Sequence, residues 1–203
     1  MRIGTLLLVF PDNTEGIGFV SSGIVFFQKH LLKKYGFTDN RIPTHIMYVK
    51  EVKENDIIVH SMEEEGAVDI SLNNFNVNNI EAYDIQDDIT EEQLQRFIND
   101  RSQRKKGKPY AILQLIFYMW MWVCENLGFE MRKAKNWFPF NEVCTEDVWQ
   151  YFMERSDFSP NNIYIKDAVN YLNSIWTENT IRPLEWRYIL SELNNVFIRR
   201  PIN

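Results

Sequence analysis

The chain holds two cysteines and three histidines, so a thiol–imidazole pair can be drawn in only a few ways. Cys144 stands in Asn141-Glu142-Val143-Cys144-Thr145-Glu146-Asp147-Val148, a string that reads as a helix beginning at, or just before, the thiol. The positive end of a helix favours an anion, and the thiolate, not the thiol, is the nucleophile. His45 stands in Pro43-Thr44-His45-Ile46-Met47-Tyr48-Val49, which reads as a β-strand carrying an imidazole near its start. On a strand beside the helix start, that imidazole would take up the thiol proton and later return it to a leaving group. Glu142, Glu146 and Asp147 flank the thiol. They suit the helix dipole but oppose a second anion, so an imidazolium must supply the compensation.

The other thiol and imidazoles read differently. Cys124 falls inside an apolar helical pattern and reads as packing. His30 lies among Lys29, Lys33 and Lys34 on what reads as a solvated helix face. No Cys-x-x-Cys or His-x-x-x-His spacing exists, nor any Gly-x-Gly-x-x-Gly or phosphate loop, so neither a metal nor a cofactor is expected. The net charge of −6 argues against a nucleic-acid partner. The one basic run, Arg101-Ser102-Gln103-Arg104-Lys105-Lys106, reads as a helix C-terminus with cations that complement the dipole.

Hydrophobic residues make up 45% and charged residues 25% of the 203, enough for one globular domain with a real core. Strands are expected at Thr5–Val9, around His45, at Asp56–Met62, at Ala67–Leu72 and at Ile80–Ile85, with an Asn-rich loop before the last. Helices are expected from Ser21 to Tyr35, closed by Gly36, and from Thr90, capped with Gln93, to Arg104. An aromatic helix follows, with Pro109 in its first turn. After a loop at Trp137–Asn141 come the Cys144 helix to Arg155, a helix from Ile163 to Ile175, and a last one from Pro183 to Asn195. A strand-rich first half and a helix-rich second half make an α+β arrangement. Ile3–Phe10 reads as a strand and not a signal peptide, because no small-residue cleavage site follows. Ala111–Cys124 is too short to span a bilayer.

Seven short motifs occur along this order: Ile3-Gly4-Thr5-Leu6-Leu7-Leu8; Phe19-Val20-Ser21-Ser22-Gly23-Ile24; Thr44-His45-Ile46-Met47-Tyr48-Val49; Ile58-Val59-His60-Ser61 with Gly66-Ala67-Val68; Gly107-Lys108-Pro109-Tyr110; Val143-Cys144-Thr145-Glu146; and Phe158-Ser159-Pro160. Together they resemble the circularly permuted papain-like cysteine hydrolases of the NlpC type (the YiiX-like group), in which the histidine strand precedes the cysteine helix. Two positions depart from the group: Thr5 and Ala111 stand where Asp is frequent. The resemblance implies a small antiparallel sheet packed against helices, with residues 1–203 forming one domain and residues 176–203 a helical C-terminal extension. It also implies a Cys144 nucleophile, a His45 acid–base and a third polar residue that orients the imidazole. His60 falls at that third position, with Glu63 the runner-up.

The activity so implied is hydrolysis or acyl transfer at an amide of a peptide or peptidoglycan type, through an acyl-enzyme and without cofactor. Two alternatives stay open. One is a lipid acyl-ester hydrolase or acyltransferase on the same fold, with membrane or lipid contact. The other is an inactive binding or virion-associated module. A reduced nucleophilic thiol fits a cytoplasmic setting, or a virion if the chain is viral. In the aromatic helix, residues 113, 117, 120 and 124 fall on one stripe, assigned to the core. Tyr118 and Trp122 project elsewhere, and the helices after Ser159 are expected to cover them.

Overall fold

Thr5-Leu6-Leu7-Leu8-Val9-Phe10 is apolar on both faces, the pattern of a strand with layers above and below. The computed structural model describes residues 1–11, 19–63, 66–108, 113–134, 143–177 and 180–202, with backbone alone at 19–20 and 113–115. In it that segment forms β1 (Leu6–Val9), inside a six-stranded antiparallel sheet. The other strands are β2 (His45–Val52), β3 (Ile57–Glu63), β4 (Gly66–Ser71), β5 (Ile80–Ile85) and β6 (Phe197–Arg200), in spatial order β4-β3-β2-β1-β5-β6. The described helices are α1 (Phe19–Lys34), α2 (Glu91–Lys105), α3 (Leu113–Asn126), α4 (Cys144–Ser156), α5 (Ile163–Ile175) and α6 (Pro183–Glu192). The class is α+β. Pro109, the loop at Trp137–Asn141 and the turn residues Glu64 and Glu65 lie outside the described residues.

Local signals account for most boundaries. Thr90 Oγ1 accepts from the Gln93 backbone N–H (3.2 Å) and Gln93 Oε1 accepts from the Thr90 N–H (3.1 Å), the reciprocal cap that starts α2. The end of the chain differs from its sequence reading. α6 stops at Glu192, and Phe197–Arg200 turns back as β6 along β5, with Ile85 opposite Phe197. The reason is tertiary. Phe197 is fully buried, its ring 5.2 Å from that of Phe152 in α4, and the added strand pairs an edge of β5 that would otherwise be open. Residues 176–203 are therefore not purely helical, and their last strand belongs to the sheet.

The two sheet faces are unequally covered. On one, Leu6, Leu8, Ile46, Tyr48, Tyr83 and Ile85 pack with Val148, Tyr151 and Phe152 of α4 and with Trp186 and Ile189 of α6. On the other, Leu7, Met47, Val49, Val59, Ile80 and Ala82 meet Leu72, Phe75 and Ile202. The candidate nucleophile lies in the thicker layer.

α3 turns a different stripe inward from the one its spacing suggests. Phe117, Tyr118 and Met121 are buried, while Trp120 and Cys124 are half-buried at the flanks. Tyr118 does meet the later chain, donating to the Ile181 carbonyl (3.2 Å) just before α6. Trp122 is instead covered by an earlier element, with Phe26 and Phe27 of α1 at 5.5 and 6.0 Å between ring centres. The pairs Phe26–Trp122, His30–Glu125 (2.9 Å) and Lys34–Glu130 (3.9 Å) show α1 and α3 running side by side in the same direction.

Candidate active site

Cys144 is the first residue of α4, so its N–H is among those with no acceptor inside the helix. Val143 offers no side-chain cap. Glu146 closes the turn from three residues on, its Oε2 accepting the Val143 N–H at 3.4 Å. The rest of α4 is pinned along its length. Trp186 Nε1 donates to the Thr145 carbonyl (3.2 Å), and the Tyr118 hydroxyl lies 3.1 Å from Thr145 Oγ1. Tyr48 of β2 stacks on Tyr151 at 4.2 Å and 9°. At the far end Arg155 grips Asp87 through Nε (2.5 Å) and Nη2 (3.2 Å), and its Nη1 donates to the Gly4 carbonyl (3.0 Å). Gly4 has φ +77°, and a Cβ there would lie 2.5 Å from Arg155 Nη1 and 2.8 Å from the Tyr151 hydroxyl, so a larger residue would be strained and would push on both side chains.

The basic run of α2 turns out to serve this helix. Arg101, fully buried, donates to Asp147 Oδ1 (2.6 Å), to the Asp147 carbonyl (2.7 Å) and to Glu154 Oε1 (2.5 Å). Lys105 lies 3.9 Å from the same Asp147 carboxylate. These cations neutralise a carboxylate three residues from the thiol, which relieves part of the opposition to a thiolate that the sequence raises. Glu142 lies outside the described residues.

His45 opens β2, and its imidazole sits between Cys144 and β3. Burial works against its charged form. The charge and side-chain hydrogen bond of Cys144, followed by the charges of Glu63 and Asp147, outweigh it and lift the pKa to about 9. On the other side, His45 Nε2 is 2.5 Å from Ser61 Oγ, and that hydroxyl donates to Glu63 Oε1 at 2.5 Å. Glu63 Oε1 is itself 3.5 Å from Nε2. With the hydroxyl hydrogen on Glu63, Ser61 Oγ is the acceptor for Nε2–H, which leaves the other ring nitrogen for the sulfur.

His60 is not brought to His45. Its Nδ1 lies 2.8 Å from Asp69 Oδ1 on β4, its ring packs 5.2 Å from that of Tyr48, and its side chain is 1% exposed. Burial disfavours the Asp69 carboxylate, but hydrogen bonds from His60 and Lys50 hold its pKa below the ordinary range. A one-residue bulge sets the difference. Near the turn Val52 pairs with Ile57 and Glu51 with Ile58, but beyond the irregularity between Val49 and Glu51 the pairs become Val49↔Val59 and Tyr48↔His60. Continued by three residues, that register sets His45 opposite Glu63, with Ser61 on the same side. Without the bulge, side-chain alternation would bring His60 into step with His45. Ser61 is the site residue that the sequence reading misses, and its only signal is this parity.

Cys124 is half-buried in the α3 packing, and His30 is bonded to Glu125, which also takes both guanidinium nitrogens of Arg182 (2.8 and 3.0 Å). Among the described residues no group of three or more His, Cys, Asp or Glu side chains is placed to hold a metal. Nor is any helix among them long and apolar enough to cross a membrane. Compared with models of known protein families and with curated proteins, the sequence gives no match.

Proposed function

We propose that the chain is a cysteine hydrolase or acyltransferase of the permuted papain-like, NlpC-type kind, acting on an amide of a peptide or peptidoglycan type. The observation that carries this reading is Cys144 at a helix start, close enough to the half-buried His45 to lift its pKa, with Ser61 and Glu63 holding the imidazole from behind. With the thiol proton already held on His45, the Cys144 sulfur attacks the carbonyl carbon as a thiolate, and the carbonyl π pair moves to oxygen. The Cys144 N–H at the helix start is a donor for that oxyanion. Collapse breaks the C–N bond, and His45 gives its proton to the leaving amine. Water, or another acceptor, then attacks the thioester, loses a proton to His45, and releases the acyl group as the thiol is restored. Ser61 and Glu63 fix the tautomer and stabilise the imidazolium, the part a carboxylate plays in a triad.

A second reading, an inactive module, is favoured by one observation: Cys144 is only 3% exposed. One experiment separates the two. The full chain is incubated with an aminoacyl p-nitroanilide and, separately, a p-nitrophenyl acyl ester, and the intact protein is examined by mass spectrometry after acid quench. An acyl adduct on Cys144 that disappears in Cys144→Ala supports the enzyme. No adduct with either reagent, or an adduct only on Cys124, overturns it. An adduct from the ester but not the anilide moves the substrate to oxygen esters.

A further inference from the structure

Among the described residues, six of the twelve exposed large hydrophobic side chains gather on one surface built from α1, α3 and the turn after α3. They are Phe26 (58% exposed), Ile116, Met119, Val123, Leu127 (71%) and Phe129 (63%). On α3 the spacing 116, 119, 123, 127 is one outward stripe, on the side opposite the buried Phe117, Tyr118 and Met121. The only charged residue within Leu113–Asn126 is Glu125, and it is turned inward to Arg182 and His30. A core-facing helix has its apolar stripe inside and charges outside. α3 is apolar on both sides, and an outward apolar stripe of this size marks an interaction surface.

The rim of the surface says what it meets. Along α1 the exposed face continues from Phe26 into Lys29 and Lys33, and Lys133 is exposed just beyond Phe129. Among the described residues these three lysines make no ion pair. Glu130, exposed next to Phe129, is already bonded by Arg132 (2.8 and 2.9 Å) and faced by Lys34 (3.9 Å). Unpaired lysines on a chain of net charge −6, set beside an apolar face, are complementary to anionic headgroups over acyl chains. A second copy docked on this face would bring two lysine rows together with no free carboxylate to meet them. We infer that the outer face of α1 and α3 is a docking surface for an anionic lipid bilayer, with the α3 stripe entering the acyl boundary and Lys29, Lys33 and Lys133 at the headgroups. Tyr118, on the inner side of the same helix, reaches Thr145 beside Cys144. The bilayer would thus lie about one helix diameter, ~10 Å, from the thiol.

Flotation of the full chain with vesicles of 70:30 phosphatidylcholine and phosphatidylserine, against phosphatidylcholine alone, tests this at 0.1 and 0.5 M salt. The wild type is expected to float with the anionic vesicles and to be weakened by salt. Leu127→Glu/Phe129→Glu and Lys29→Glu/Lys33→Glu should each lower binding by about tenfold or more. All four side chains are exposed, so unchanged thermal melts are expected. Absence of flotation with anionic vesicles overturns the inference. So does flotation indifferent to both variants, or a dimer in sedimentation velocity that Leu127→Glu/Phe129→Glu dissolves without any vesicle binding. Cys144→Ala should float like the wild type, which keeps this outcome separate from the thiol chemistry.

Discussion

Two histidines sit on neighbouring strands, His45 half-buried and His60 buried, both with a carboxylate in reach, and the structure gives them opposite surroundings. His45, at the start of β2, has a thiol on one side and a hydroxyl–carboxylate relay on the other. His60, in the middle of β3, has Asp69 at one nitrogen and the ring of Tyr48 across its face, while its Nε2 is buried with no hydrogen-bond partner. A carboxylate partner therefore does not distinguish a chemical histidine from a structural one. What distinguishes them is the other side of the ring: at His45 it faces the Cys144 thiol, at His60 there is no hydrogen-bond partner. The bulge at Lys50 decides which β3 side chains share a face with His45: Ser61 and Glu63, not His60.

The comparison breaks most sharply under direct replacement. His45→Ala should slow acylation of Cys144 by about 100-fold or more, the usual worth of a positioned acid–base. His60→Gln should change it by no more than about threefold. The readout is adduct formation against time, and equal losses in the two variants would erase the distinction. Removing Arg101 tests the support under the site. Arg101→Ala leaves the Asp147 carboxylate buried without its guanidinium partners, and should cost about 3–5 kcal/mol in urea unfolding.

How far the sequence reaches is clear from the same residues. The cap of α2 and the span of α5 are written locally, in Thr90 with Gln93 and in a 13-residue apolar period. The helix start at Cys144 is local too. Ser61 is not, because strand parity depends on a bulge that no residue type at Lys50 announces. β6 is not, because four residues carry no visible alternation and the strand exists through Phe197 burial and the edge of β5. The inward stripe of α3 is set by what α1 and the Ile181 segment present to it, and neither partner is encoded in α3 itself.

A smaller effect sharpens the comparison through pH. The folded-state pKa of His45, about 9, lies above the unfolded value of roughly 6.5. Its protonation therefore stabilises the fold fully below about pH 6.5, and that contribution is lost as pH rises through about 9. His45→Gln should flatten the fall in melting temperature over this window, whereas His60→Gln should keep it. In an NMR titration of the imidazoles, Cys144→Ala should move the His45 transition downward, since the charge and hydrogen bond of the thiol are the largest influences raising it. The smallest effect belongs to the relay. Ser61→Ala and Glu63→Gln should each slow acylation by about threefold to tenfold, less than His45→Ala, because they orient the imidazole without touching sulfur.

The rate of iodoacetamide alkylation at Cys144 and Cys124, followed by peptide mass spectrometry from pH 5 to 10 in the folded chain, bears most directly on the thiol–imidazole pair. Cys144 should label faster than Cys124 near neutral pH, with a profile that shifts to higher pH in His45→Ala and stays in place in His60→Gln. A profile unchanged by His45→Ala, or faster labelling of Cys124 in the folded protein, would contradict it.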